Sequence, residues 1–287
     1  MERSGDKMKP VLVGIAGDSG SGKSTFVKTL SNLLGEENVR EICFDDYHSL
    51  DREERKAVKI TPLHPRANNL GLAIEHMWLL KQGRKILKPI YDHSTGRFGE
   101  PEWVCPVPYI ICEGLHTFYF NVLAIQYDLK IYYDTDLELK IIWKIQRDVL
   151  DRGYFAEKVI EEIRERQKDI RNFVEPQSQY ADILLKLRLH SDNFIAVQWN
   201  ESTDSHWFEN LLNEPGSWEV FQEWYGGKKW NVYSIARKFT LDEVKRSFKI
   251  DSSFRIKEKE LEPYLVSSLL IATILKQIRD LKDKKEV

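Results

Sequence analysis

A glycine-rich loop near the start of the chain constrains the fold and the chemistry more than any other stretch. Residues 17–24 read GDSGSGKS and match the pattern G-x-x-x-x-G-K-[ST] at every fixed position. The apolar run at 11–16 precedes the loop, and apolar residues at helical spacing follow it. Strand, loop and helix in this order predict a site for the phosphates of a nucleoside triphosphate. The alternative is a glycine-rich connection that binds no ligand.

The residue types of the loop agree with phosphate binding. Glycines let the backbone curl round an anion, and successive N–H groups at the start of a helix then face it. We expect Lys23 to contact the outer phosphates and the Ser24 hydroxyl to bind Mg²⁺. The predicted nucleotide-binding residues are Gly17, Asp18, Ser19, Gly20, Ser21, Gly22, Lys23, Ser24 and Thr25.

Composition excludes several classes of partner. The net charge of −2 gives no reason to expect nucleic acid or an anionic membrane. The apolar run at 265–275 is far shorter than the ~20 residues of a membrane span. The first ten residues lack the apolar core of a signal peptide, and three cysteines suggest a reducing compartment. We therefore expect a cytoplasmic protein.

Strands and helices alternate over the first two thirds of the chain, which predicts an α/β fold of the P-loop NTPase type. Its sheet should be mainly parallel, with helices on both faces. Strands are predicted at 11–16, 39–44, 109–114, 129–133 and 181–187, and helices at 70–80, 137–152 and 156–173. The charged segment 48–69 and the segment 88–108 are predicted to be loops with little regular structure.

The sequence changes character beyond residue 190. Five of the eight tryptophans lie within 199–230, and alternation at 195–199 and 230–235 predicts antiparallel strands. We interpret the tryptophans as packing residues rather than as a platform for bases. The predicted organisation is a kinase core at 1–190, with lid helices at about 137–173. A β-rich addition and a C-terminal helix at 191–287 should pack on the same domain.

Three acids, Asp45, Asp46 and Glu113, lie at the ends of predicted strands, where ligands bind in open α/β sheets. Glu113 is a candidate Mg²⁺ contact that complements Ser24, unless it only caps a strand end. Asp45 could take a proton from an acceptor hydroxyl. The alternative is that Asp45 or Asp46 merely caps a turn.

Two groups of basic residues complete the candidate site. His48 and Arg52 would lie on one surface if their segment is helical. A histidine and an arginine beside an acid suit a phosphorylated acceptor, because arginine contacts phosphate through paired N–H groups. A solvated pair of charged side chains would explain the two residues equally well. On the helix from residue 137, Lys144, Arg147 and Arg152 project together. They predict a lid that closes over the transferring phosphoryl group, unless they form an ordinary solvated face.

Several motifs, in order along the chain, resemble one known family. After the glycine-rich loop these are CFDDYHSLDR (43–52), HPRANN (64–69), KPIYDHSTG (88–96), IICEGLH (110–116), WKIQRDVLDRG (143–153) and EPQSQYAD (175–182). The chain is similar to phosphoribulokinases, P-loop kinases related to uridine kinase, and it is most similar to the plant and cyanobacterial branch.

The resemblance implies that ATP and Mg²⁺ are used to phosphorylate the C1 hydroxyl of D-ribulose 5-phosphate, giving ribulose 1,5-bisphosphate. It implies that Asp45 is the catalytic base, assisted by Lys23, and that Glu113 is the acid at the metal. The lid arginines would be Arg147, towards the transferring group, and Arg152, towards the substrate. The implied contacts of the sugar phosphate are His48, Arg52, Tyr91, His93 and Lys144.

The chain also departs from the family. Ser21 stands where thiol-regulated members carry a cysteine, although Cys43 matches its usual partner, and no cysteine follows Cys112. A thioredoxin-type switch through those pairs is therefore not expected. Residues 191–259 match poorly, so the family's oligomer interface cannot be transferred, although we expect a homodimer. The alternatives are a uridine kinase-like enzyme for a nucleoside or another alcohol, and a non-catalytic nucleotide-binding switch.

Overall fold

A computed structural model describes residues 8–150, 155–188, 193–197, 219–235, 239–248, 254, 256, 260–261 and 263–286. The strands are β1 (Val11–Ala16), β2 (Val39–Cys43), β3 (Ile86–Asp92), β4 (Arg97–Val104), β5 (Tyr109–Gly114), β6 (Leu129–Thr135), β7 (Ile183–Leu187), β8 (Asn193–Val197), β9 (Glu219–Tyr225), β10 (Lys228–Ile235), β11 (Phe239–Thr240) and β12 (Glu260–Leu261). The α-helices are α1 (Lys23–Leu34), α2 (Arg52–Ala57), α3 (Leu70–Lys81), α4 (Asn121–Ala124), α5 (Leu137–Leu150), α6 (Ala156–Asp169), α7 (Leu241–Phe248) and α8 (Pro263–Glu286).

The central sheet has eight strands in the order β2-β5-β1-β6-β7-β8-β10-β9. The first five of these run parallel to one another. Strands β8, β10 and β9 continue the same sheet in antiparallel pairs. This confirms the predicted α/β class and the antiparallel addition. The pairs β3–β4 and β11–β12 form two small separate sheets.

Helices cover both faces of the parallel part, and the alternation of β1 explains how. Val11, Val13 and Ile15 belong to a core cluster shared with α1 and α8. Leu12 and Ala16 belong to a second cluster, on the opposite face, that includes residues of α3. Because successive side chains point to opposite faces, a strand buried on both sides is apolar throughout. The predicted division of the chain at residue 190 stays a prediction.

Two segments that the sequence predicts to be loops contain regular structure. The segment 48–69 includes α2, which starts at a capping box in which Asp51 and Glu54 each accept the other's backbone N–H. The segment 88–108 forms the β3–β4 ribbon, whose two strands pair antiparallel with a register shift next to Pro89. Seven of the eight residues of β4 are exposed, so this strand has no apolar alternation for a pattern to detect.

Part of the tryptophan-rich region lies outside the described residues, including Trp199, Trp207 and Trp218. Of the two tryptophans on β9 and β10, Trp230 is fully buried and Trp224 is exposed. Within the described ranges, no helix combines the length and the apolar character that crossing a membrane requires.

Candidate active site

The glycine-rich loop joins β1 to α1 as the sequence predicts, and its conformation requires glycine. Gly20 and Gly22 have φ angles of 78° and 95°, a region that side chains disfavour. At Gly17, a Cβ atom would lie 2.2 Å from the backbone oxygen of Tyr133. The Thr135 hydroxyl donates a hydrogen bond of 2.7 Å to the backbone oxygen of Ser21. Strand β6 therefore holds the loop tightly against the end of β1.

The lysine and serine of the loop make hydrogen bonds within the candidate site. Nζ of Lys23 donates to the backbone oxygen of Asp18 at 2.7 Å, and the Ser24 hydroxyl donates to Oε1 of Glu113 at 3.0 Å. Burial raises the pKa of Glu113, although the charge of Lys23 and the hydrogen bond from Ser24 oppose this rise. A hydroxyl and a carboxylate are hard oxygen donors, so this pair fits Mg²⁺.

Asp45 lies at the same sheet edge as Glu113. Strands β2 and β5 are parallel neighbours, and Cys43 pairs directly with Glu113, so Asp45 follows two residues beyond that pair. Nε2 of His93 is 3.4 Å from Oδ2 of Asp45. Burial would raise the pKa of Asp45, but the hydrogen bond from His93 and the positive charge of Lys23 contribute to lowering it overall. Asp45 is thus held ionised and can accept a proton.

The predicted sugar-binding residues converge on the β3–β4 ribbon. The rings of His48 and Tyr91 pack edge to face with their centroids 4.6 Å apart. The rings of Tyr91 and His93 pack in the same way, with centroids 5.2 Å apart. Nη2 of Arg52 donates to the backbone oxygen of His93 at 2.5 Å. The sequence left open whether His48 and Arg52 share a helix, and they do not, because α2 begins at Arg52 after its cap at Asp51. The ribbon brings them together instead.

Asp46 has a different environment from its neighbour Asp45. One of its carboxylate oxygens accepts the backbone N–H of Tyr91 at 2.9 Å, and the other forms an ion pair with the buried Lys88. Asp46 therefore fastens the ribbon to the end of β2 rather than capping a turn. Lys88 was missed by the sequence analysis, although a lysine within an otherwise apolar run is a signal for a buried partner.

Arg55 is a second residue that sequence reasoning missed. Its side chain is buried, with Nη2 donating to the Tyr91 hydroxyl at 2.7 Å and Nη1 donating to the backbone oxygen of Leu50 at 2.6 Å. A buried guanidinium needs such partners because desolvating it alone is costly. Arg55 thus fixes the position of the Tyr91 side chain through a hydrogen bond to its hydroxyl group.

The predicted lid helix α5 lies directly against the glycine-rich loop. Nζ of Lys140 is 3.6 Å from a carboxylate oxygen of Asp18. Lys144 is buried, and burial and the nearby charge of Arg166 lower its pKa to about 8. The solvated-face alternative is therefore wrong for Lys144. Arg152 and the side chain of Arg147 lie outside the described residues.

A cavity of about 640 Å³ adjoins Lys23, Ser24 and Thr25. Its other walls come from separate parts of the fold: Tyr133 on β6, Trp143 on α5, Leu187 and Arg188 at the end of β7, and Tyr264 on α8. Flat and apolar side chains beside a phosphate cradle suit the base and ribose of a nucleotide. The hydroxyl groups of Tyr264 and Thr29 are 2.9 Å apart, which connects α8 to the helix of the loop.

Comparisons with known proteins agree with this geometry. Residues 12–192 match the model of the phosphoribulokinase / uridine kinase family. A phosphoribulokinase of Synechocystis is 48% identical over 177 residues, which are 62% of this chain and 53% of that protein. A uridine kinase of Chloroflexus aurantiacus is 33% identical over 181 residues, 61% of this chain and 86% of that protein. The chain spans about half the length of the Synechocystis and Arabidopsis phosphoribulokinases.

The solved structure of a phosphoribulokinase from Rhodobacter spheroides superposes with a TM-score of 0.61 at 16% identity. The superposition covers 95% of this chain and 98% of that one. At this level of identity the likeness shows the fold alone.

Proposed function

This chain belongs to the phosphoribulokinase / uridine kinase family, and on that premise we propose that it is a phosphoribulokinase. The reaction transfers the γ-phosphoryl group of ATP to the C1 hydroxyl of D-ribulose 5-phosphate and gives ribulose 1,5-bisphosphate and ADP. The 48% identity to a phosphoribulokinase supports this acceptor over a nucleoside.

One observation carries the proposal. The ionised Asp45 and the Ser24–Glu113 pair lie at adjacent strand ends, because Cys43 and Glu113 are register partners. A phosphoryl group held by the loop and a hydroxyl held near Asp45 would therefore meet across this edge. In-line transfer depends mainly on such positioning and on charge stabilisation.

Each group has a distinct task in this proposal. Asp45 accepts the proton of the C1 hydroxyl as that oxygen attacks phosphorus. Lys23 belongs to the loop and Lys144 lies against it, and both stabilise the negative charge of the transferring group. Mg²⁺, held by Ser24 and Glu113, would neutralise charge on the β- and γ-phosphate oxygens. We assign Arg147 and Arg152 to the lid by their matched positions in the sequence.

The sugar phosphate would bind between the end of β2 and the β3–β4 ribbon. Tyr91 and His93 lie on the ribbon side of this region, with His48 in contact with the Tyr91 ring and Arg52 hydrogen-bonded to the backbone of His93. The planar guanidinium of Arg52 suits the 5-phosphate, because arginine contacts phosphate through paired N–H groups. A nucleoside acceptor has no such group for Arg52 to contact.

An acceptor assay tests the proposal. ADP release is measured with ATP, Mg²⁺ and ribulose 5-phosphate, and in parallel with uridine and with isomeric pentose phosphates. We expect turnover with ribulose 5-phosphate and little with uridine. Preference for uridine would establish the uridine kinase-like alternative, which the Chloroflexus relative keeps open. Nucleotide binding without ADP release for any acceptor would favour a non-catalytic switch.

We further propose that the protein is a cytoplasmic homodimer. The three free cysteines, Cys43, Cys105 and Cys112, suit a reducing compartment. Light scattering coupled to size-exclusion chromatography measures the mass in solution. A single chain of 33.8 kDa would contradict the homodimer.

A further inference from the structure

The HPRANN motif, residues 64–69, has no task in the reaction described above, yet it lies beside the sugar site. Its backbone pairs with the segment after β2: Ser49 N–H donates to Ala67 O at 2.9 Å, and Asn69 N–H donates to Tyr47 O at 2.6 Å. His48 and Asn68 form an isolated antiparallel bridge between these contacts. The two side chains are therefore held side by side by the main chain.

The amide of Asn68 has a fixed orientation. Its Nδ2 donates to two backbone oxygens, that of Pro62 at 3.0 Å and that of His64 at 3.1 Å. Both partners accept hydrogen bonds only, so the NH₂ group must face them. The amide oxygen, Oδ1, consequently faces His48.

This orientation determines the tautomer of His48. Nδ1 of His48 lies 2.7 Å from Oδ1 of Asn68. An amide oxygen cannot donate, so Nδ1 must carry the hydrogen, and a neutral ring then has its lone pair on Nε2. Nε2 makes no hydrogen bond to any residue that the structure describes.

We infer that Asn68 is a positioning residue that fixes His48 as the Nδ1–H tautomer, so that Nε2 accepts a hydrogen bond from a hydroxyl group of the sugar. This inference rests on the proposed function and refines it, because it assigns His48 to a sugar hydroxyl rather than to the 5-phosphate. Arg52 then remains the phosphate contact.

The surroundings of His48 favour the neutral ring. Burial and the charge of Arg55 on α2 lower the pKa of His48, whereas Asp45 and the hydrogen bond to Asn68 raise it. The lowering causes are the larger, so the pKa of His48 lies below its usual value. His93 on the loop after β3 also lowers it. Tyr91 on β3 packs its ring against the imidazole at 4.6 Å. The imidazole is thus held at one edge by Asn68 and on a second side by Tyr91.

Nitrogen NMR tests the tautomer without any substrate. Long-range ¹H–¹⁵N spectra of histidine-labelled protein distinguish Nδ1–H from Nε2–H rings, and a His48→Gln variant assigns the His48 signals. We expect the Nδ1–H form in the unmodified protein and its loss in Asn68→Leu. The Nε2–H form in the unmodified protein would overturn the inference, whether or not ribulose 5-phosphate is the acceptor.

A double-mutant cycle then tests the effect on the sugar. Asn68→Leu, His48→Ala and the double variant are assayed for kcat and KM, with ADP affinity as the measure of an intact nucleotide site. We expect Asn68→Leu to raise the KM for ribulose 5-phosphate by about 3- to 10-fold. In the His48→Ala background it should add less than about 2-fold, because Asn68 acts through His48.

Asn68→Asp is the matched control, because a carboxylate oxygen still accepts from Nδ1 while the two bonds to Pro62 and His64 are lost. Its Nδ1–H signal should persist. If the KM effects of Asn68→Leu and His48→Ala simply multiply, Asn68 has only a structural role and the inference fails. If the unmodified protein does not phosphorylate ribulose 5-phosphate, the proposed function fails, and the NMR result still decides the tautomer.

Discussion

The same substitution should affect different properties at the two adjacent aspartates that follow β2: stability at Asp46 and turnover at Asp45. Asp46 pairs with Lys88, whose side chain is only 5% exposed, and it also accepts the N–H of Tyr91. Asp46→Asn preserves the acceptor for that N–H but leaves the buried ammonium without its main counter-charge. Asp45 is more exposed, at 33%, and its partner His93 is a surface residue.

The magnitude follows from the burial of Lys88. Removing one partner of a buried ion pair costs about 3–5 kcal/mol. Glu102, which is half-exposed, remains 3.2 Å from Nζ of Lys88 and compensates in part. We therefore expect Asp46→Asn to lower the free energy of unfolding by about 2–4 kcal/mol. Asp45→Asn should change it less, but should lower kcat by ~10²–10⁴-fold because the proton acceptor is lost.

Urea unfolding followed by tryptophan fluorescence measures the stability, and ADP release measures turnover. Asp46→Asn combined with Lys88→Met is the control, because it removes both buried charges; its midpoint should lie closer to that of the unmodified protein. An unchanged midpoint in Asp46→Asn would refute the anchoring role of Asp46. Full turnover in Asp45→Asn would remove Asp45 from the chemistry.

Three further predictions concern His116, whose ring nitrogen Nε2 lies 2.8 Å from the backbone oxygen of Leu63, and the site residues Arg55 and Gly17. Burial lowers the pKa of His116 from 6.5 to about 4, so the unfolded chain binds this proton more readily; stability should fall by roughly 3 kcal/mol as the pH drops from 6.5 to 4. His116→Gln should flatten the pH dependence measured by denaturant unfolding, and an unaltered slope would contradict this assignment. Arg55→Met removes the donor to the Tyr91 hydroxyl and should raise the KM for ribulose 5-phosphate about 10-fold at unchanged ADP affinity, with Arg55→Lys as the charge-preserving control. An equal loss of ADP affinity would show a general disruption. Gly17→Ala places a Cβ atom 2.2 Å from a backbone oxygen and should weaken ADP binding, measured by calorimetry, at least about 10-fold; unaltered binding would show that the loop adjusts freely.

The comparison of sequence and structure is most informative at the β3–β4 ribbon. The sequence predicts Tyr91 and His93 near the sugar only through family resemblance, because the charged and exposed residues of β4 look like a loop. The ribbon is held in place by contacts with Asp46, Arg52 and Arg55, each about 40 residues away. No local pattern reports such pairings, since they depend on how distant segments pack.

Structure that depends only on neighbouring residues, in contrast, can be predicted directly from the sequence. The run at 11–16 and the GDSGSGKS loop determine a buried strand, a phosphate cradle and a helix by themselves, because glycine placement and apolar periodicity act over a few residues. Two neighbouring aspartates are chemically identical in the sequence, and only the tertiary structure gives Asp45 a histidine and Asp46 a buried lysine. The same holds for Lys144, which is buried where α5 packs against the glycine-rich loop and α6. The partners of a charge, and hence its task, are determined by contacts between segments that are far apart in the chain.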